Sequence, residues 1–265
     1  MIQTFLAGFV MALANVIPGV SGGTIAVVMG IYDRLVGLLS LDIKAIKADW
    51  KYLLNIGVGV AVGLLLFSKI ITWLLETYPM PTCFFFVGLI AGSMPMLLKK
   101  VRPEGKWPNA GGFALFIAAL VLMYLLSTLG DGSGMVAETA LTPALAVKVF
   151  FSGIVAAAAM IVPGVSGSSM LLIFGTYATF YTAVGDLNIL LLLPIGVGIL
   201  IGLVAGSRAM RVLLSKWPVY TYCAIIGLVL GSVFVVWPGF AFNILGLISV
   251  FTFAAGTAAA YFLGR

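Results

Sequence analysis

Apolar residues run along this chain in long stretches that are separated by short polar segments. Most stretches are long enough to cross a bilayer as a helix, because about 20 apolar residues span the ~30 Å hydrocarbon core. Two stretches differ, since each is interrupted by proline, glycine and serine. Such a break leaves backbone groups without helical partners, so it is tolerated only where it is buried in protein or lines a polar cavity. The pattern predicts continuous membrane spans together with two broken segments.

The two interruptions carry the same motif. Residues 15–24 read Asn-Val-Ile-Pro-Gly-Val-Ser-Gly-Gly-Thr, and residues 160–169 read Met-Ile-Val-Pro-Gly-Val-Ser-Gly-Ser-Ser. Pro18 of the first copy corresponds to Pro163 of the second, 145 positions later. A motif repeated in this way predicts an internal duplication.

The similarity extends well beyond the motif. Glycines and prolines stay in register on both sides of it, and after a loop that is six residues shorter the match resumes between 56–59 and 195–198. Chance resemblance between apolar segments would not keep these residue types aligned. We therefore divide the chain into two homologous halves, 1–130 and 146–265.

Each half is predicted to hold one interrupted segment, 4–40 or 147–184, followed by three spans. The first arm, 4–17, reaches only about 21 Å as a helix, which favours a re-entrant hairpin over two full crossings without excluding the latter. Either way a half crosses an odd number of times, so the second half is inverted. The predicted fold is an all-α polytopic integral membrane protein of two inverted-topology repeats, each a re-entrant helical hairpin plus three transmembrane helices, with spans near 53–75, 82–98, 111–129, 189–214, 220–236 and 240–262.

Composition and charge agree with this class. The chain is 63% hydrophobic and 8% charged, with a mean hydropathy of +1.23, whereas soluble domains are about 25% charged. With both termini in the cytoplasm, Lys and Arg collect on the cytoplasmic side, with Lys148 as the clear exception. The net charge of +6 therefore follows from the membrane topology and does not indicate nucleic-acid binding. The chain has no His and only two separated Cys, so no metal site or cofactor is predicted.

The two motifs form the candidate site, because inverted hairpins would bring their tips together near the midplane. Each tip opens a helix, whose free amides suit an anion, while glycine permits close approach and hydroxyls donate hydrogen bonds. The alternative is that these residues only cap helices and shape tight turns. The candidate anion-binding residues are Pro18, Gly19, Ser21, Gly22, Gly23, Thr24, Pro163, Gly164, Ser166, Gly167, Ser168 and Ser169.

One cation in each half completes the candidate site. Lys69 aligns with Arg208, and each lies about 21 Å along a predicted span. Ionisable groups inside hydrocarbon are costly and usually functional, so the pair is predicted to balance a phosphate. Snorkelling to the nearer interface is the alternative, and it fits Arg208 better than Lys69.

The doubled motif, with Met29-Gly-Ile-Tyr-Asp-Arg34 after its first copy, resembles the bacterial polyprenyl-phosphate transporter family of the PopT type. The resemblance covers essentially the whole chain. It implies a flippase that returns undecaprenyl phosphate, the carrier lipid of cell-wall peptidoglycan synthesis, from the outer to the inner leaflet of the bacterial inner (plasma) membrane. It also implies that 18–24 and 163–169 are the functional segments and that the protein is not an enzyme.

Two other functions are left open. An undecaprenyl-diphosphate phosphatase carries a related Pro-Gly-x-Ser-Arg-Ser motif, but Gly22 and Gly167 occupy the arginine position here, and no paired Glu is predicted inside the membrane. A transporter of small soluble anions would use the same turns without an opening to lipid. The sequence does not determine the coupling ion, the oligomeric state or the preferred polyprenyl phosphate.

Overall fold

The described part of the chain is helical. A computed structural model describes residues 2–15, 21–40, 43–102, 105–128 and 136–263, in which the regular elements are all helices. In the first half they are α1 Ile2–Asn15, α2 Gly22–Val28, α3 Tyr32–Leu39, α4 Ile43–Thr77, α5 Pro79–Val101 and α6 Ala110–Ser127. In the second half they are α7 Pro143–Ile161, α8 Gly167–Ile173, α9 Tyr177–Gly185, α10 Ile189–Lys216, α11 Pro218–Val236 and α12 Ile244–Leu263.

Within the described residues, six helices are long and apolar enough to cross a membrane, namely α5, α6, α7, α10, α11 and α12. The predicted all-α polytopic membrane protein is thereby confirmed, while the inverted relation of the halves stays a prediction. Helix α7 starts earlier than the sequence suggested, because Pro143 occupies its first turn and the Thr142 hydroxyl accepts a 3.1 Å hydrogen bond from the Leu145 amide. Its 19 residues reach about 28 Å.

The stretches predicted as the second hairpin arms, 24–40 and 169–184, each hold two short helices. The apolar pattern predicts single helices near 24–40 and 169–184, and this prediction is wrong at one glycine in each arm. Gly30 has φ +67° between α2 and α3, and Gly175 has φ +62° between α8 and α9. A left-handed residue ends a helix although the apolar residues continue, so the hydrophobic pattern conceals the break.

The two breaks are built in the same way. The Gly30 amide bonds the Val27 carbonyl at 3.0 Å, and the next amide, of Ile31, reaches back to the Ala26 carbonyl at 2.9 Å. These two hydrogen bonds form a Schellman motif, which ends a helix at a left-handed glycine. The second arm repeats both bonds 145 positions later, from Gly175 to Leu172 and from Thr176 to Leu171, each at 2.9 Å.

Helix packing follows a corresponding pattern in the two halves. Helix α1 packs along α4 in the first half, as α7 does along α10 in the second. Gly59 of α4 lies against the Phe5 carbonyl, and its aligned partner Gly198 of α10 lies against the Phe150 carbonyl, so a larger side chain at either glycine would meet backbone.

The halves also interlock, because α5 packs on α12 and α6 packs on α11. Helix α2 lies in the interior between these groups. It contacts α1, α5 and α7, and Ile25, Ala26, Val27 and Val28 are each at most 2% exposed. This packing places the beginning of α2, with Ser21 and Thr24 of the first motif, in the interior of the protein.

Candidate functional site

The first motif begins α2 with a hydroxyl cap. Ser21 has an extended backbone, with φ −107° and ψ 149°, and its Oγ accepts a 3.2 Å hydrogen bond from the Thr24 amide. The two hydroxyl oxygens, Ser21 Oγ and Thr24 Oγ1, are 3.1 Å apart. Both side chains are buried. This copy of the motif therefore caps its helix, as predicted by the alternative that these residues serve as caps.

The two motifs are in direct contact. The Gly164 amide of the second copy donates a 2.9 Å hydrogen bond to Thr24 Oγ1 of the first. Gly164 has φ +86°, and a Cβ there would lie 2.6 Å from the Leu228 backbone, so only glycine fits. This bond brings Thr24 of the first motif against Gly164 of the second, while a meeting of the tips at the midplane stays a prediction. The Gly164 amide itself, however, is occupied by Thr24 and does not face a ligand.

Two further contacts hold this junction. Gly23 lies against backbone carbonyls in the last turn of α7, because a Cβ on Gly23 would be 3.2 Å from the Met160 oxygen. The Tyr32 hydroxyl donates a 2.7 Å hydrogen bond to the Ile161 carbonyl. Sequence reasoning did not place Tyr32 in the site, although its identity with Tyr177 in the repeat was a visible signal.

The second motif differs from the first at its helix start. Ser166 precedes α8 but makes no capping hydrogen bond to it, and its Oγ lies 2.6 Å from Ser168 Oγ instead. One hydroxyl of such a pair donates to the other, so one O–H remains as a donor for a ligand. Both side chains are only partly buried, and they line a cavity.

The cavity has a volume of about 330 Å³, which lies within the range of small-molecule sites. Its polar lining comes from both motifs, through Ser21 of the first and Ser166 and Ser168 of the second. The rest of the lining is largely apolar and comprises Gly153, Ala156, Ala157, Met160, Gly167, Leu171, Phe180, Tyr181, Ile199 and Leu203. Serines from both motifs thus line one largely apolar chamber.

The other predicted motif residues lie elsewhere. Gly22, Thr24, Pro163 and Gly164 are buried, whereas Gly23 and Ser169 are partly exposed, and none of the six belongs to the cavity lining. Pro18 and Gly19 lie outside the described residues. Helices α2 and α8 have only seven residues each, so hydroxyl groups, more than helix dipoles, give the cavity its polar character.

The structure does not bring Arg208 to the cavity. Its Nε donates a 3.1 Å hydrogen bond to the Ser40 carbonyl at the end of α3, and Arg211 Nη1 donates a 3.0 Å bond to the Ser40 hydroxyl. A cation at this position satisfies the terminal carbonyls of a helix. Lys69 belongs to α4, but its side chain lies outside the described part of the structure. The cavity lining in the described residues is therefore uncharged.

Comparison with known proteins gives one family and two relatives. Residues 11–245 match the family described as VCA0040-like, undecaprenyl phosphate translocase-like. The chain is 33% identical over 269 residues to the polyprenyl-phosphate transporter of Staphylococcus aureus (strain NCTC 8325 / PS 47), covering 98% of this chain and 95% of the relative. It is 32% identical over 256 residues to the polyprenyl-phosphate transporter of Vibrio cholerae serotype O1 (strain ATCC 39315 / El Tor Inaba N16961), covering 89% and 78%. No solved structure matches the chain.

Proposed function

The chain belongs to the undecaprenyl phosphate translocase-like family, and from this membership we propose that it is a flippase for a polyprenyl phosphate lipid. The lipid is undecaprenyl phosphate, moved from the outer to the inner leaflet of the bacterial plasma membrane so that cell-wall synthesis can reuse it. The observation that carries the proposal is the cavity that serines from both motifs line.

The chemistry of such a lipid matches the lining of this cavity. A polyprenyl chain is soluble in the hydrocarbon of a bilayer, but moving a phosphate group there costs much free energy because the group loses its water. A protein that supplies hydrogen-bond donors to the phosphate lowers that cost. Ser21, Ser166 and Ser168 line an otherwise largely apolar chamber, and the Ser166–Ser168 pair keeps one free O–H as a donor. No acid, base or nucleophile needs to be activated for this task.

The remaining motif residues have supporting parts in this proposal. Thr24 and Gly164 fasten the turns to each other. Small residues let backbone pass close to the headgroup, and the prolines fix the shape of the turns. Lys69 is the proposed counter-charge. Arg208 joins it only in a conformation that releases the Ser40 carbonyl. The full proposed set is Pro18, Gly19, Ser21, Gly22, Gly23, Thr24, Lys69, Pro163, Gly164, Ser166, Gly167, Ser168, Ser169 and Arg208.

Movement of the lipid follows from the proposed inverted halves. Each hairpin enters from its own side of the membrane, and both termini lie in the cytoplasm. Rocking one half against the other would expose the serines to each leaflet in turn. The matching helix pairs, α1 with α4 and α7 with α10, support two units of similar construction.

The test is a flipping assay in proteoliposomes that contain a labelled polyprenyl phosphate in the outer leaflet. The protein should accelerate its appearance in the inner leaflet, and replacing Ser166 and Ser168 together by Ala should remove most of the acceleration. Release of phosphate from undecaprenyl diphosphate would instead favour the phosphatase. Uptake of free phosphate that prenyl phosphates do not inhibit would favour a carrier of soluble anions.

A further inference from the structure

We propose that the same cavity contains a second subsite, which encloses the first isoprene units of the lipid against α7 and α10. The subsite rests on the proposed function, because it takes the phosphate to lie at the serines. It assigns a specificity role to Ile199 and Leu203, and it fixes the direction in which the lipid lies.

The wall on the α7 side is one face of that helix. Gly153, Ala156, Ala157 and Met160 follow the spacing i, i+3, i+4 and i+7, so they lie on one side, and from first to last they extend about 10 Å along the axis. Three of the four have no side chain or a single methyl group. In the middle of this face, Ala156 and Ala157 leave space in the cavity that larger side chains would fill.

Polarity changes along the cavity. At one end, Gly167 next to the serines packs on Met160, since a Cβ on it would lie 2.7 Å from Met160 Cγ. At the other end, Gly153 packs against the α10 backbone, where a Cβ on it would be 2.8 Å from the Ile195 carbonyl oxygen and 3.4 Å from the Ile199 amide. The hydroxyls therefore lie at the Met160 end, and Ile199 lies at the Gly153 end. A ligand that fits has a polar head and an apolar chain in that order.

The volume also exceeds what a headgroup needs. A phosphate takes up on the order of 100 Å³, judged by the ~30 Å³ share of one water molecule in the liquid. The cavity of about 330 Å³ thus keeps most of its space for an apolar occupant. Phe180 and Tyr181 of α9, with ring centroids 5.3 Å apart at 84°, add aromatic surface to the lining. A small soluble anion would leave all of this surface wet.

The spacing between α7 and α10 is fixed. Gly198 and Gly202 of α10 lie against the Phe150 and Ile154 carbonyls of α7, so the two helices are already at backbone contact. They cannot approach further to close on a thinner chain. The subsite is therefore selective for the branched allylic end of an isoprenoid, while the rest of the tail lies in the bilayer.

The experiment measures displacement of radiolabelled geranyl phosphate from the purified protein in nanodiscs. The competitors are methyl, dimethylallyl, geranyl, farnesyl and geranylgeranyl phosphate. Affinity should rise at least tenfold from methyl to geranyl phosphate and then level off, because only the first units contact the subsite. Equal affinity for methyl and geranyl phosphate would overturn the subsite and leave the headgroup site standing. Absence of binding throughout the series would overturn the headgroup site and the proposed function with it.

Two substitutions distinguish binding of the ligand at the subsite from its partitioning into the bilayer. Leu203→Phe should lower the affinity for geranyl phosphate at least fivefold and leave that for methyl phosphate within twofold. Leu203→Ala should weaken geranyl phosphate about threefold without adding bulk, which keeps the test open if the larger side chain prevents folding. Leu200→Phe, on the same helix at a residue that is 66% exposed, is the matched control and should change neither. The subsite would be overturned if affinity rose steadily along the series up to geranylgeranyl phosphate and Leu203→Phe did not change it.

Discussion

The Thr24 hydroxyl accepts a 2.9 Å hydrogen bond from the Gly164 amide, which joins the two copies of the motif across 140 positions of sequence. Thr24 is 1% exposed, and Ser21 Oγ lies 3.1 Å from the same hydroxyl. A single buried oxygen therefore links the cap of α2 to the turn before α8. The two residues that this bond joins lie in different halves of the chain.

Removing this oxygen should weaken both turns. Thr24→Val keeps the volume of the side chain but leaves the Gly164 amide buried without an acceptor, which costs about 1–3 kcal/mol. We expect a lower melting temperature in detergent, together with slower flipping of polyprenyl phosphate. Thr24→Ser keeps the oxygen and should lie close to the native protein in both measurements. A native melting temperature for Thr24→Val would show that the bond does not stabilise the junction.

The serine pair of the second motif should matter for the ligand more than for stability. Ser166 and Ser168 bond each other at the cavity wall and do not cap α8. Replacing both by Ala removes one internal hydrogen bond and the donors that face the headgroup, so flipping should fall at least tenfold while the melting temperature changes little. Ser215→Ala, at an exposed serine near the end of α10, is the control. Undiminished flipping by the double variant would exclude these hydroxyls from the phosphate site.

The sequence predicted the helical class, a polytopic membrane protein and the family, because long apolar stretches and a doubled motif are local signals. The doubled motif also pointed to both segments that the Thr24–Gly164 hydrogen bond joins. It did not predict that only Ser21 acts as a cap while Ser166 turns to the cavity. Both residues stand in the same local sequence, Pro-Gly-Val-Ser-Gly, so the difference arises from their tertiary surroundings.

The break at Gly30 and the position of Arg208 escaped prediction for related reasons. A glycine within an apolar run is compatible with a continuing helix, and only its left-handed φ shows that the helix ends. Arg208 was assigned to the site by its alignment with Lys69, but a long side chain can reach several neighbours, and here it reaches the Ser40 carbonyl.

The left-handed glycines make a prediction with an internal control. Gly30→Ala places a side chain at φ +67°, where space is available beside Met96 but the backbone conformation costs about 1–2 kcal/mol. Gly37→Ala, in the helix that follows, meets nothing within 4 Å and should stabilise by about 0.5–1 kcal/mol. The melting temperatures of the two variants should therefore shift in opposite directions. A shift in the same direction would contradict the assigned helix break.

The last prediction concerns the two candidate cations. The Arg208 guanidinium bonds the end of α3, so Arg208→Gln should loosen that helix end and lower the melting temperature. Because Arg208 reaches the headgroup only in a conformation that releases Ser40, the affinity for methyl phosphate should fall less than it does in Lys69→Gln. Lys69→Gln should behave in the opposite way, with weaker phosphate binding and little change in melting, since a counter-charge for the headgroup is then missing.

Comparing these two variants decides how the phosphate charge is balanced. Weaker phosphate binding by Arg208→Gln at an unchanged melting temperature would assign Arg208 to the headgroup, and would require a conformation in which it leaves Ser40. Salt dependence adds an independent measurement, because attraction between a cation and a phosphate at a shielded site is screened less than one at the surface. If Lys69 supplies the charge, phosphate affinity of the native protein should fall only weakly with added salt, and Lys69→Gln should remove most of that affinity at every salt concentration.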